Sequence, residues 1–404
     1  MSNTKFCFTS FKIWEVVVPL DGSMLGLPAE VAWPKLPIYL VEGATSGGFS
    51  AVGECARGTP FESVQKTLQG LLGVDLHKTT PPTAWMKPYD PQQVPSGYPV
   101  WAQGAGESQQ NAIADAVGMT RLYPVWSWAG AGLASYMLLE SLWLDAMGKR
   151  AGMAAHQLLG GAVRREVPVD LWAVRPDVSQ LRAILKAAGQ RGIRGLKIKS
   201  GVRGDTVLSL YALREELPED FRITVDAMCA WRTSRENGRL FEMLAELPCA
   251  VQIEDPFPYE NRDDWRKVRE SRIATLICHA RGENVLEAAL RDEIADAFNL
   301  GGGSAYEFLK LATVADFHGK DCWHGSGMEL GVLQALHLHA ASCARNCLLA
   351  SDLQSEWTRE HTLVHPRMSY RGNSALLSDA PGLGVELDLK SLERYCVKHH
   401  TITL

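Results

Sequence analysis

Short apolar runs that stop at a charged or polar residue recur through the second half of the chain, and each is followed by sequence with helical spacing. The runs are Val167–Ala173, Gly195–Lys199, Arg222–Val225, Ala250–Ile253, Ala274–Ile277, Ala297–Leu300, Asp321–Trp323 and Cys347–Ser351. Helical periodicity fills the intervals at Val178–Arg191, Asp205–Glu216, Thr233–Leu247, Arg262–Val268, Leu286–Ile294, Ala305–His318 and Gly331–Ala344. Apolar strands alternating with helices predict a parallel sheet covered on its outer face, and eight of them predict a (β/α) barrel.

Before residue 166 the texture is different. Residues 5–19, Leu36–Glu42 and residues 47–53 read as a strand meander ending at Gly53-Glu54-Cys55. Residues 61–73 have helical spacing, and Ala131–Gly148 is a nearly uncharged helix that should be buried. A short helix at Ala154–Leu159 stops at Gly160-Gly161. Residues 77–101 are dense in proline and include Trp85, Tyr89, Tyr98 and Trp101, which excludes regular helix or central strand. They open an irregular insertion over 77–130, either a lid or a simple excursion. The expected division is an N-terminal α+β capping domain at 1–165, a barrel at 166–365, and a turn-rich tail at 366–404 that returns to the cap.

Composition narrows the class without choosing a function. The chain has 404 residues, enough for one large core and a smaller domain. A net charge of −5 offers no basic footprint for nucleic acid. No apolar run is long enough to span a bilayer, and no signal-peptide pattern opens the chain. Nine scattered cysteines without a CxxC pair read as reduced thiols, so a cytoplasmic protein without membrane or nucleic-acid partners is expected.

The chemistry gathers at strand ends. In such a barrel every strand's C-terminal end opens on one rim, so Lys197, Lys199, Asp226 and Glu254 face one opening. Alternation sends Lys197 and Lys199 to the same side, where two inward lysines are costly unless they serve a purpose. A proton alpha to a carboxylate is very weakly acidic, and its removal leaves a dianion that concentrated positive charge must stabilise. A hard cation held by carboxylates beside lysines meets that need. Taken singly, each carboxylate also reads as a solvated rim residue and each lysine as a surface residue. Gly301–Gly303 lacks the spacing of a nucleotide-binding turn and reads as a tight strand-to-helix connection.

In order and spacing, the chain resembles the enolase superfamily, in its mandelate racemase/muconate lactonizing branch. The residues that carry the resemblance are Gly53-Glu54, Leu142-Trp-Leu-Asp145-Ala-Met-Gly148, Lys197-Ile-Lys199, Val225-Asp226-Ala, Ile253-Glu254-Asp-Pro and Pro381-Gly-Leu-Gly. The resemblance implies a modified TIM (β/α) barrel with an N-terminal cap, one divalent metal ion (Mg²⁺ in the family), a small carboxylate substrate and a homo-oligomer. It makes Asp226 and Glu254 metal ligands, Lys199 the general base, and Lys197 the partner of the substrate carboxylate. Where relatives carry Glu, Asp or Asn at the end of strand five, this chain reads Cys278-His279-Ala-Arg-Gly-Glu283. His279 is the expected third ligand by register, with Cys278 or Glu283 as alternatives, and imidazole opens the site to Mn²⁺, Zn²⁺ or Fe²⁺.

His324, at the end of strand seven, is the expected acid or base on the opposite face. Its family partner is an Asp at the end of strand six, but Asp296 stands at that strand's start and leaves Asn299 as the polar partner. His337 and His339 read as core or supporting residues. Asp21, Ser23, Arg57 and Thr59 lie where such caps present specificity loops, and Asp352 and Glu356 close strand eight. Dehydration of a hydroxy or sugar acid is the expected reaction, with racemisation or epimerisation second. Dipeptide epimerisation fits less well without a strand-six lysine, and cycloisomerisation fits poorly with a histidine on strand seven. A binding role follows if the metal site is impaired.

Overall fold

The computed structural model describes residues 5–20, 37–57, 59–79, 133–200, 204–280, 282–301 and 304–404. The cap begins with strands β1 (Phe8–Val16), β2 (Ile38–Thr45) and β3 (Ser50–Glu54), then helix α1 (Phe61–Leu71). Helix α2 (Leu133–Ala151) lies on this sheet. Phe8, Phe11, Ile13, Tyr39, Val41, Leu68, Leu138 and Leu142 fill the space between them. The final strand of the chain, Cys396–Thr403, pairs antiparallel with β1, giving the sheet order last strand, β1, β2, β3. The tail therefore completes the cap, as the turn-rich ending predicts.

A short helix α3 (Ala155–Leu158) leads into the barrel. The expected first strand is split. Glu166–Pro168 (β4) turns away to pair with Ser374–Leu376 of the tail, and only Leu171–Ala173 (β5) joins the barrel. Then follow α4 (Val178–Gln190), β6 (Gly195–Lys199), α5 (Asp205–Ala212), β7 (Arg222–Asp226), α6 (Gly238–Ala245), β8 (Ala250–Glu254), α7 (Arg262–Ser271) and β9 (Thr275–His279). The series ends with α8 (Glu283–Arg291), β10 (Ala297–Asn299), α9 (Ala305–Phe317), β11 (Cys322–Trp323) and α10 (Gly331–Cys343).

Strands β5 to β11 form one parallel sheet of seven strands in sequence order. The expected eighth strand, Cys347–Ser351, is not one. Ser351 forms a single bridge to Val169, and this segment hydrogen-bonds to Pro168 on one side and to Cys322 on the other. Pro168 has no N–H to continue a ladder, so the barrel closes through isolated bonds. The curled sheet and its helical jacket are those of a modified TIM barrel.

Parallel register sets which side chains share the interior. Lys199 lies beside Asp226, Asp226 beside Glu254, and Glu254 beside Ile277. With a period of two along each strand, Lys197, Lys199, Asp226, Glu254, Ile277 and His279 point inward together. Cys278 has the opposite parity and is buried in the outer core. At the far end of the barrel, Arg222 clamps Asp170 with bonds of 2.6 and 2.9 Å.

Cap and barrel are joined by buried carboxylates. Glu54, at the end of β3, accepts backbone N–H bonds from Leu330 (2.6 Å) and Leu333 (2.9 Å) at the start of α10. Glu140 of α2 does the same for Ala305 (2.6 Å) and Tyr306 (3.2 Å) at the start of α9. Asp145 accepts from Val52 of the cap and Leu383 of the tail, each at 2.8 Å. The first N–H groups of a helix have no partner within it, and its N-terminal end favours negative charge, so carboxylates dock there.

Candidate active site

The residues that the sequence sets at strand ends meet at the barrel mouth. The Lys197 ammonium lies 2.7 Å from Glu254 Oε2, 2.9 Å from Asp352 Oδ2 and 4.0 Å from Asp226 Oδ2. Beneath it is the Trp323 ring, with 5.1 Å from Nζ to the centroid. Burial works against the Lys197 charge, but the carboxylates of Asp352, Glu254 and Asp226 outweigh it and raise its pKa. Lys197 is therefore a fixed cation. Lys199 pairs with the other oxygen-bearing arm of the cluster, Asp226. Asp226 also accepts the Met228 N–H at 2.9 Å. Burial acts to raise the Asp226 carboxyl, yet Lys199 and Lys197 hold it below the usual range. Burial, followed by the charge of Asp226, pushes the Glu254 carboxyl up. Two carboxylates on adjacent strand ends thus load one another with negative charge that cations must meet.

The turns after these strands are strained. Met228, Cys229 and Asp255 adopt positive φ values of 50°, 58° and 44° without being glycine. Their backbones are tied together, Cys229 N to Asp255 O at 2.6 Å and Ala227 N to Glu254 O at 2.9 Å. Non-glycine residues persist in this region only where the surroundings over-determine them, as around functional sites.

Asn299 donates to Glu254 Oε1 at 2.8 Å, and its own Oδ1 accepts the Gly301 N–H at 3.0 Å. Close packing enforces this geometry: a Cβ on Gly325 would sit 2.4 Å from Asn299 Oδ1, and one on Gly301 would sit 1.9 Å from the Gly325 backbone. His279, at the end of β9, brings Nδ1 to 3.5 Å from Glu254 Oε1, and its N–H donates to Asp255 Oδ1 at 2.8 Å.

His324 ends β11 but is sealed. Its ring is fully buried, with centroids 4.4 Å from Phe308 and 4.1 Å from His337. Nδ1 lies 2.7 Å from the Gly325 carbonyl, which can only accept, so the proton sits on Nδ1 and Nε2 keeps a lone pair. Among the described residues Nε2 has no hydrogen-bond partner. Burial, then His337, keeps the ring neutral, well below the usual histidine range. In this state His324 accepts a proton or hydrogen bond; it does not donate from Nε2.

Other expected positions fall elsewhere. Glu283 opens α8 and pairs with Lys310 at the surface, so it does not reach Glu254. Cys278 faces the helices, as its parity requires. Arg57 faces Arg359 and Glu329, and burial with Arg359 lowers its pKa to about 10. Thr59 donates to Ala56 O at 2.6 Å, and Glu356 holds Thr362 and Arg367. Asp296 binds Arg269 and the Leu276 N–H at the far end of its strand. Asp21 and Ser23, and the whole 80–130 stretch, lie outside the described residues. Trp323 and Asp255 escaped the sequence reading. Trp323 is visible only as an inward neighbour of Asn299 once register is known.

The sequence model of a family described as enolase C-terminal domain-like matches residues 180–391, more than half of the chain. The chain belongs to that family. Its relatives set it in the mandelate racemase/muconate lactonizing branch of the enolase superfamily. The N-succinyl-L-Arg/Lys racemase of Bacillus cereus is 24% identical over 261 residues, covering 63% of this chain and 69% of the relative. Muconate cycloisomerase 1 of Pseudomonas putida is 25% identical, covering 64% and 70%. A probable glucarate dehydratase of Streptomyces coelicolor is 27% identical, covering 62% of each. In three dimensions the muconate lactonizing enzyme of Pseudomonas putida superposes with a TM-score of 0.71 at 18% identity, over 96% of this chain and 99% of the other. That likeness carries the fold. Family membership makes this chain a lyase or isomerase of a superfamily that works with a divalent metal ion, and no helix among the described residues can cross a membrane.

The donors fit such an ion in kind. Asp226 and Glu254 supply hard oxygens from neighbouring strand ends in register, and each is buried against the charge of the other. On the next strand end stands the His279 imidazole, with Nδ1 3.5 Å from Glu254 Oε1. Among the described residues no three His, Cys, Asp or Glu side chains converge as a metal cluster, and the two carboxylates are paired with Lys197 and Lys199.

Proposed function

We propose that this chain catalyses a metal-assisted β-elimination of water from a small hydroxy acid, with Lys199 as the single proton-transfer group. The observation that carries the reading is the asymmetry of the mouth. One side presents the Lys197–Lys199 pair, while the facing strand ends present Asn299, an amide that takes no proton, and His324, which is sealed. Asp226, Glu254 and His279 would hold the ion, which when bound supplies positive charge for a carboxylate and its developing dianion.

Lys197, kept cationic by three carboxylates, attracts the substrate carboxylate and cannot readily give up its own proton. Lys199, as the neutral amine, takes the α-proton and becomes an ammonium, and the C–H electron pair moves into the ene-diolate. The same ammonium then returns that proton to the β-hydroxyl. The C–O bond breaks with its electron pair on oxygen, water leaves, and the enol of a 2-hydroxy substrate becomes a 2-oxo acid. The acid role expected for His324 thus passes to Lys199, because His324 carries its proton on Nδ1 against Gly325.

A second reading, racemisation or epimerisation, is favoured by one feature, the unpartnered Nε2 lone pair of His324. Incubating metal-loaded protein in D₂O with a panel of hydroxy acids separates the two. Elimination predicts 2-oxo acid detected as a semicarbazone, formed about a thousandfold more slowly in Lys199→Ala. Inversion at the α-carbon without oxo acid, lost in His324→Asn, would replace the first reading with the second.

A further inference from the structure

The seam where the barrel closes brings two buried thiols together. Cys322 opens β11, and Cys347 lies in the segment that returns to Ser351. Two backbone bonds bracket the pair: Cys322 N–H donates to Asn346 O at 2.8 Å, and Leu349 N–H donates to Cys322 O at 3.3 Å. Chains joined in this way run about 4.8 Å apart, inside the Cα separation of about 4.4–6.8 Å that a disulfide needs. The side chains meet as well, thiol hydrogen-bonded to thiol, and both residues are fully buried in the main core.

The two sulfurs are not equivalent. Ser351 Oγ accepts the His324 N–H at 3.1 Å and is free to donate its own proton to Cys347 Sγ at 3.6 Å. The Arg164 guanidinium, which donates to the Arg345 carbonyl at 2.8 Å, adds positive charge beside them. The Cys322 thiol, then Ser351 and Arg164, hold the Cys347 thiol below its usual range against the effect of burial. The bond to Cys347, then burial, pushes the Cys322 thiol well up. The thiolate is the form that attacks an oxidant, so Cys347 reacts first. It lies just under the surface, between the exposed Arg345 and Leu348.

We propose that Cys322 and Cys347 form a reversible disulfide when the protein meets a peroxide, locking the closing seam of the barrel. The Cys347 thiolate attacks one peroxide oxygen. An S–O bond forms as the O–O bond breaks, leaving a sulfenic acid and hydroxide. The Cys322 sulfur then attacks the sulfenic sulfur, the S–S bond forms, and the S–O bond breaks with its electron pair on oxygen. The two thiol protons end on the two oxygens, so the thiols lose two electrons and the peroxide becomes two waters. The seam otherwise holds through isolated backbone bonds, and the new link encloses His324 and α10 in one covalent loop. None of this depends on the reaction proposed above.

The test treats the folded full chain with a small excess of hydrogen peroxide, blocks remaining thiols, and maps the peptides by mass spectrometry. A peptide joining Cys322 to Cys347, released by dithiothreitol, is expected. Unfolding in urea should slow by about tenfold or more, and return to its original rate on reduction. Cys322→Ala should stop at a sulfenic acid on Cys347, trapped by dimedone, and Cys347→Ala should leave Cys322 reduced. Absence of the joined peptide in wild type would overturn the proposal, and that map stands even if a variant fails to fold. A joined peptide with unchanged unfolding would overturn the lock.

Discussion

At the joint between cap and barrel, Glu54 and Glu140 are as deeply buried as Asp226 and Glu254 at the barrel mouth, yet they are held by different partners. The joint carboxylates accept backbone N–H bonds at helix N-termini, from donors that cannot move without unwinding a helix. The mouth carboxylates are held by Lys197 and Lys199, whose flexible side chains can exchange one partner for another. Burial is the same problem in both places. At the joint it is answered once, in favour of cohesion. At the mouth the answer is reversible, and under the proposed function a cation and a carboxylate substrate would replace lysine contacts there.

The strongest test of this contrast removes the proposed proton carrier of the mouth, Lys199. Lys199→Ala should lower turnover by about a thousandfold, the usual scale of general acid–base catalysis, as followed by oxo-acid formation. Its urea midpoint should move far less than that of a joint variant. A stability loss in Lys199→Ala as large as in Glu54→Ala would erase the distinction between the two sets.

Next in size is Glu54→Ala, which strands the Leu330 and Leu333 N–H groups in a dry interface. We expect a loss of about 3 kcal/mol in urea denaturation, from two orphaned donors at roughly 1–3 kcal/mol each. The reverse pattern, catalysis lost with stability kept, would make Glu54 part of the site.

Asp352→Asn sharpens the comparison from within the mouth. The Asp352 carboxylate, 2.9 Å from the ammonium, helps keep Lys197 charged, and an amide there would hold it less firmly. If Lys197 binds the substrate carboxylate and does not carry the proton, as proposed, KM should rise about tenfold with kcat changed less. An equal fall in kcat alone would assign Lys197 to the proton transfer.

The smallest effect is a pH dependence of stability. Burial lifts the Glu54 carboxyl to about 8 and the Glu140 carboxyl to about 7, both above the unfolded value of 4.5. The folded state therefore holds the proton more tightly than the unfolded state. This contribution is complete below the unfolded value and is lost as pH rises through about 7 to 8. Melting temperature should fall across that window, and Glu54→Gln should flatten the fall; a rise across it would reverse the assignment.

Much of the barrel was legible because continuous apolar strands and amphipathic helices have different periods. Lys197-Ile-Lys199, Asp226 and Glu254 were legible because each interrupts such a run at its end. The closure through isolated bonds near Ser351 was not, since four apolar residues ending in Ser look the same whether they pair along their length or at one point. Glu54 was visible as a motif but not as a helix staple, because its partners lie 276 and 279 residues away.

The sequence by itself determined the alternation of strand and helix, the family, and the charged residues that close three successive strands. These depend on local periodicity and residue type. Only the tertiary structure decided that Lys197 is a caged cation, that Cys278 and Glu283 miss the site, and that His324 is sealed with its proton turned away. Those outcomes depend on register, burial and distant neighbours, which bring Asp352 to Lys197 and the Glu254 carboxylate to the edge of the His279 ring.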